Sequence, residues 1–173
     1  MTSSRLRLRE FQIELAERLR QAKAAPVGQT SLALSISPYN YLIDLSEAGE
    51  IIPVPEITPI PLAKSWYKGL ANLRGELIGI IDFAQFSENQ PTPIDKESCV
   101  LTFAGHLRFN AGLLITHIFG LRHTVQMTEA REQTQQAPWL GAAMADQEGQ
   151  VWYPLSLNTL IQNEYFWDAS IAT

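Results

Sequence analysis

Few side chains in this sequence are of a type that does chemistry, and their spacing argues against catalysis. His106, His117 and His123 lack the three- or four-residue spacing that would put metal ligands on one helical face. His117 sits between Thr116 and Ile118 in a strand-like run, where it can face solvent. Cys99 lies in the apolar run Cys99-Val100-Leu101 and reads as a small core residue rather than a nucleophile. Asp44 and Asp82 each follow apolar residues, and a carboxylate at a strand end accepts hydrogen bonds from a turn. No glycine-rich phosphate loop and no Gly-x-Ser-x-Gly elbow occurs. No acid, base and nucleophile are brought together by spacing. The expectation is a protein that is not an enzyme, with no cofactor and no metal.

Arg74 is the charge that stands out. It occupies Asn72-Leu73-Arg74-Gly75, where Asn and Gly tolerate positive φ and can reverse the chain. A guanidinium is a planar fork of donors that can hold two acceptors at once. It can tether a neighbouring loop through a glutamate, anchor an interface, or do both.

The elements that carry these residues follow from pattern. Leu8, Phe11, Leu15, Leu19 and Ala22 recur at helical spacing, so residues 6–24 read as a helix ending before Pro26 and Gly28. Ile13 falls off that face. Leu32, Leu34 and Ile36 alternate with small or polar residues, as in a half-buried strand. A turn at Pro38-Tyr39-Asn40 and the return at 41–45 make a hairpin. Pro53, Pro55, Pro59 and Pro61 exclude a helix or central strand there, leaving an extended rim. Residues 77–83 form an apolar strand after the Arg74 turn. Residues 88–97 are a loop. Residues 99–103 and 109–119 are further strands around a turn at Gly105-His106, and 126–136 is a polar stretch. Residues 151–153 are a last strand, and Asn158 caps a short helix carrying Leu157, Leu160, Ile161 and Tyr165. The run 109–119 is apolar on both faces. One face can fill a barrel, while Ile118 or Phe119 must meet a second subdomain or a partner. Trp66, Tyr67, Trp139, Trp152, Phe166 and Trp167 read mostly as core. Many short strands with turn signals indicate a mainly β protein.

Bulk properties fit this. The chain has 173 residues, 46% of them hydrophobic, one cysteine and a net charge of −5. A single cysteine excludes an internal disulfide framework and suits a reducing compartment. Residues 1–23 carry six Lys or Arg against three Glu; the rest carries seven basic and fifteen acidic groups, a formal −8. An acidic body argues against nucleic acid as a main ligand. No leader and no membrane-spanning run is read, so a cytoplasmic protein without membrane insertion is expected.

Trp66 to Phe83, with its Asn72-Leu73-Arg74-Gly75 turn and apolar strand ending in Asp82, resembles the signature of the CheW family. The resemblance runs from about Leu32 to Phe166. It includes Tyr41-Leu42-Ile43-Asp44-Leu45, the pair Glu50-Ile51, the loop Ile57-Thr58-Pro59-Ile60-Pro61, and the strand from Gly112 to Gly120. Gly79 stands where the family usually has proline, and Thr116 replaces a common aspartate. The extra N-terminal helix and Phe83-Ala84-Gln85-Phe86 look most like the branch serving type IV pilus twitching motility, the PilI branch.

The resemblance implies two SH3-like five-stranded β-barrels packed side by side within residues 29–168. An N-terminal helix and linker (1–28) would precede them, a short C-terminal helix would end the domain, and a tail (169–173) would follow. It implies a non-catalytic adaptor that couples the cytoplasmic tip of a methyl-accepting chemoreceptor to a CheA-type histidine kinase, recruited to membrane-associated receptor arrays. Kinase contacts would be Ile57, Ile60, Glu50 and Arg74. Receptor contacts would be Leu45, Ala48, Ile118 and Phe119. Asn72 and Gly75 would be structural turn residues. The competing reading is a small β-barrel ligand binder or flavin-handling enzyme, which would need a pocket with convergent polar groups. A bound chromophore in the purified protein would favour it.

Overall fold

Alternating apolar residues and turn chemistry produce eleven strands among the described residues, 30–131 and 134–170 of a computed structural model. The helix expected over 6–24 and the last residues of the tail lie outside the described residues. The strands are β1 (Thr30–Ile36), β2 (Tyr39–Asp44), β3 (Ala48–Pro53), β4 (Tyr67–Leu73), β5 (Glu76–Ile81) and β6 (Cys99–Phe103). They continue as β7 (Ala111–Ile115), β8 (His117–His123), β9 (Thr128–Glu129), β10 (Met144–Ala145) and β11 (Val151–Pro154). Short helices α1 (Phe83–Glu88), α2 (Leu157–Leu160) and α3 (Glu164–Trp167) complete the fold.

Two sheets form. A six-stranded sheet has the order β8-β1-β2-β11-β10-β9, and a five-stranded sheet the order β3-β6-β7-β5-β4. Their facing sides share one large apolar core, with Leu32, Leu34, Ile43 and Tyr153 from the first sheet and Ile81, Leu101, Leu113 and Ile115 from the second. An aromatic cluster fills one part of it. Trp66 stacks on Phe166 at 5.8 Å, and Phe86 meets Trp66 at 5.3 Å and Phe166 at 5.2 Å. Each sheet also carries a small cluster on its other face. Ala33, Leu42 and Trp152 form one; Ile52, Ala71, Ile78, Ile80, Val100 and Leu114 form the other. Strand β1 is therefore buried on both faces, since Ala33 is as inaccessible as Leu32. This corrects the half-buried expectation: Trp152 lies in the same small cluster as Ala33.

Four local expectations change. The run 109–119 is two strands in different sheets, broken at Thr116. There the Thr116 N–H donates to Ser35 O at 2.9 Å and its hydroxyl accepts from Ser37 N–H at 3.0 Å. The strand after the Arg74 turn ends at Ile81 rather than Phe83, because Asp82 caps α1 by accepting from the Gln85 N–H. The helix near Asn158 is capped by Ser156, which accepts from Thr159 N–H, and Asn163 caps a separate helix α3. Trp167, read as core, is 62% exposed.

Candidate functional site

The β4–β5 hairpin is a two-residue turn. Leu73 pairs with Glu76, and between them Arg74 has φ 53° and Gly75 φ 93°. Positive φ at both central residues is the type I′ geometry that matches strand twist. So the left-handed residues are Arg74 and Gly75, not Asn72. Asn72 instead accepts the Gly75 N–H through its side-chain oxygen at 2.9 Å. This geometry fixes where Arg74 points. Its Nη1 donates to Glu50 Oε1 at 3.0 Å, with both side chains more than half exposed. Glu50 lies on β3 and Arg74 follows β4, the two edge strands of the five-stranded sheet.

A second contact joins those same edges. Thr58, in the proline-rich segment after β3, exchanges two backbone hydrogen bonds with Leu70 on β4, at 2.8 and 2.9 Å. The crossing requires glycine at position 69, whose φ is 137°. A methyl group there would collide with the Thr58 carbonyl. Ile57, one residue before, packs against the Ile52–Leu114 cluster. Ile60, further along, is 40% exposed. The four expected kinase contacts thus belong to the seam where the edges of this sheet meet.

The four expected receptor contacts divide. Leu45, Ala48 and Ile118 are buried members of the core between the sheets. Phe119 is 45% exposed. Its ring meets His117 edge-on at 4.7 Å and Trp152 at 5.3 Å. His117 in turn pairs with Glu97 at 2.8 Å.

The remaining chemistry-bearing groups are structural. Asp82 is fully buried, accepting from the Thr92 N–H at 2.9 Å and its hydroxyl at 2.6 Å, with Lys68 at 3.7 Å. It ties the loop after α1 to the strand end. Neither Lys68 nor Thr92 was read from the sequence as its partner, since no spacing rule links them. Burial pushes the Cys99 thiol up to about 12, which keeps it protonated. Hydrogen bonding from the Glu97 backbone, followed by weaker local contributions including His117, holds the Asp95 carboxyl below its usual range. No group of three or more His, Cys, Asp or Glu able to hold a metal occurs among the described residues. A cavity of about 420 Å³ beside α1 is lined by Tyr41, Glu88, Gln135 and Trp139. Three of its polar side chains bond in series: Tyr41 OH donates to Gln135 at 3.0 Å, and Gln135 donates to Glu88 at 2.7 Å. Ser87 Oγ and Trp139 Nε1, on lining residues of the same cavity, are buried without a hydrogen-bond partner. Burial raises the Tyr41 phenol well above its ordinary value.

The CheW-like domain family matches residues 31–165, and the chain belongs to that family. Among characterised relatives, Protein PilI of Pseudomonas aeruginosa is 31% identical over 137 residues, covering 76% of this chain and 74% of that protein. The crystal structure of the scaffolding protein TtCheW from Thermoanaerobacter tengcongensis shares the fold, with a TM-score of 0.64. It is 18% identical, and the match covers 79% of this chain and 94% of TtCheW.

Proposed function

We propose that this chain is an adaptor that couples a methyl-accepting chemoreceptor to a CheA-type histidine kinase in the pathway controlling type IV pilus twitching motility. The likeness to PilI over three-quarters of both chains carries the pilus assignment. Each sheet, on this reading, curls into a small SH3-like barrel around its own apolar cluster. The Thr58–Leu70 bridge and the Arg74–Glu50 pair support this for the five-stranded sheet. The seam bearing Ile57, Ile60, Glu50 and Arg74 is the kinase-facing surface. Exposed apolar side chains beside an ion pair suit a moderate-affinity protein interface.

Phe119 is the receptor-facing side chain on this reading, with Leu45, Ala48 and Ile118 supporting its surroundings from the core. The protein works in the cytoplasm, recruited to receptor arrays at the membrane; no helix among the described residues is long and apolar enough to cross one. The test is a pull-down from source cells with wild-type and Arg74→Ala baits. Recovery of a histidine kinase and a chemoreceptor by the wild type, with the kinase lost from the variant, supports the reading. Recovery of neither overturns it.

A further inference from the structure

The cavity beside α1 is lined by none of the residues assigned above to the kinase or receptor surfaces. Its volume of about 420 Å³ falls in the range of about 300–1,000 Å³ usual for small-molecule sites. Two of its walls are core residues. Tyr41 and Phe83 are each 1% exposed, and their rings meet edge-on at 5.6 Å. Trp139 is a third wall, held against Phe86 at 5.5 Å. Walls already fixed by the core lose little further freedom when a ligand covers them.

The polar side of the cavity is a relay that ends in a charge. Tyr41 OH donates to the buried Gln135, and Gln135 donates to Glu88 Oε1. The relay occupies one carboxylate oxygen and leaves Glu88 Oε2 with no donor among the described residues. Glu88 is half-buried and enters none of the ion pairs of the described residues. The last turn of α1, which Glu88 closes, holds no basic residue. Burial raises the Tyr41 phenol, and the Glu88 charge adds to that rise, so the negative charge is felt at the Tyr41 end of the cavity. Ser87 Oγ and Trp139 Nε1 are themselves buried, so they do not meet a ligand entering from solvent.

We propose that this cavity binds a small organic amine in its protonated form, with the ammonium on Glu88 Oε2 and an apolar body against Phe83, Trp139 and Leu140. An ammonium supplies both the donor and the opposite charge that Oε2 lacks. Aromatic rings favour a cation over their faces. A carboxylate ligand would meet Glu88 as a like charge, and a hydrocarbon would bury Oε2 without compensation. The volume exceeds what an ammonium alone fills, which calls for the apolar body. A lysine side chain offered by another protein carries the same ammonium on an aliphatic stem, so the test separates the two sources.

Phenethylamine, phenylacetate and Nα-acetyl-lysine amide are titrated calorimetrically into the full chain, with Glu88→Gln and Glu97→Gln variants beside the wild type. Glu88→Gln keeps an oxygen for Gln135 and removes the charge, so its melting temperature should stay near that of the wild type. Phenethylamine should bind the wild type saturably, and Glu88→Gln at least about tenfold more weakly, the effect of losing one charge-assisted contact. Glu97 does not line the cavity, so Glu97→Gln should bind as the wild type does. Tighter binding of the lysine amide than of phenethylamine would overturn the small-molecule assignment in favour of a protein side chain. Absence of saturable phenethylamine binding, or phenylacetate bound as tightly, would overturn the proposal on the wild type alone. Equal phenethylamine affinity in a folded Glu88→Gln would overturn it as well.

Discussion

The guanidinium of Arg74 and the carboxylate of Glu50, 3.0 Å apart, join the two edge strands of one five-stranded sheet. The pair therefore crosses a seam rather than decorating a turn, and it does so at the surface.

Arg74→Ala is expected to leave the melting temperature nearly unchanged, because an exposed ion pair contributes about 0–1 kcal/mol. Kinase affinity should fall more than tenfold, as losing one member of a charged interface pair costs about 2–5 kcal/mol. Arg74→Lys should also bind weakly, since a point charge cannot replace the fork. Arg74→Gly should match or exceed the wild-type melting temperature, because φ 53° suits glycine, yet still bind poorly. Normal affinity in all three variants would return Arg74 to a purely structural role.

Gly75→Val should act on folding instead. Nothing lies within 4 Å of a methyl group placed at Gly75, so the cost is conformational, from φ 93°. The expected loss is about 1–3 kcal/mol, read from urea unfolding.

Ile118→Asp and Phe119→Asp should separate although they are adjacent. Ile118 is 8% exposed and Phe119 45%. Ile118→Asp places a carboxylate in the shared core and should lower stability by several kcal/mol. Phe119→Asp should melt close to wild type and lose receptor binding more than kinase binding. A folded Phe119→Asp that binds the receptor normally would remove Phe119 from that interface.

Asp82→Ala should be among the most damaging single changes. It strands the buried Thr92 donors, at about 1–3 kcal/mol each, and removes the cap on the part-buried Gln85 N–H. Calorimetry should show a large fall in melting temperature, with Asp82→Asn falling less because one acceptor remains.

Alkaline pH should weaken the fold through Cys99 and Tyr41. Folding favours the neutral thiol, raising it from 9.0 to about 12. That contribution is complete below pH 9.0 and is lost as pH rises towards the folded value, because only the unfolded chain ionises in that window. Tyr41 acts in the same direction from its ordinary 10.0. Urea midpoints should drop above pH 9.0, with a shallower drop in Cys99→Ala. The thiol should resist alkylation in the folded protein at neutral pH.

The sequence makes much of this visible, through signals of period and turn type. Alternation locates β1 and β2, and the apolar runs locate β5 and β6. The hairpin is legible as a turn, but its left-handed residues are not. Asn72 carries the stronger propensity, while strand register decides that Arg74 and Gly75 take positive φ. The break at Thr116 is hidden because it falls inside a strand-like run, between Ile115 and His117, and neither neighbour is a glycine or proline. The two-residue strands β9 and β10 are too short for any period to show. The split between buried Ile118 and exposed Phe119 depends on which sheet β8 joins, a tertiary fact.

The break at Thr116 also sets an order of birth. Strands β3 to β7 are contiguous in the chain, so the five-stranded sheet has all its pieces once residue 115 has left the ribosome. The six-stranded sheet does not. Its β2 must wait for β11, which pairs beside it in parallel from the far end of the chain. Until residue 154 emerges, β1 and β2 carry an open edge. A nascent chain stalled between these points would present that edge to chaperones, or to the matching strand of a neighbouring nascent chain on the same message.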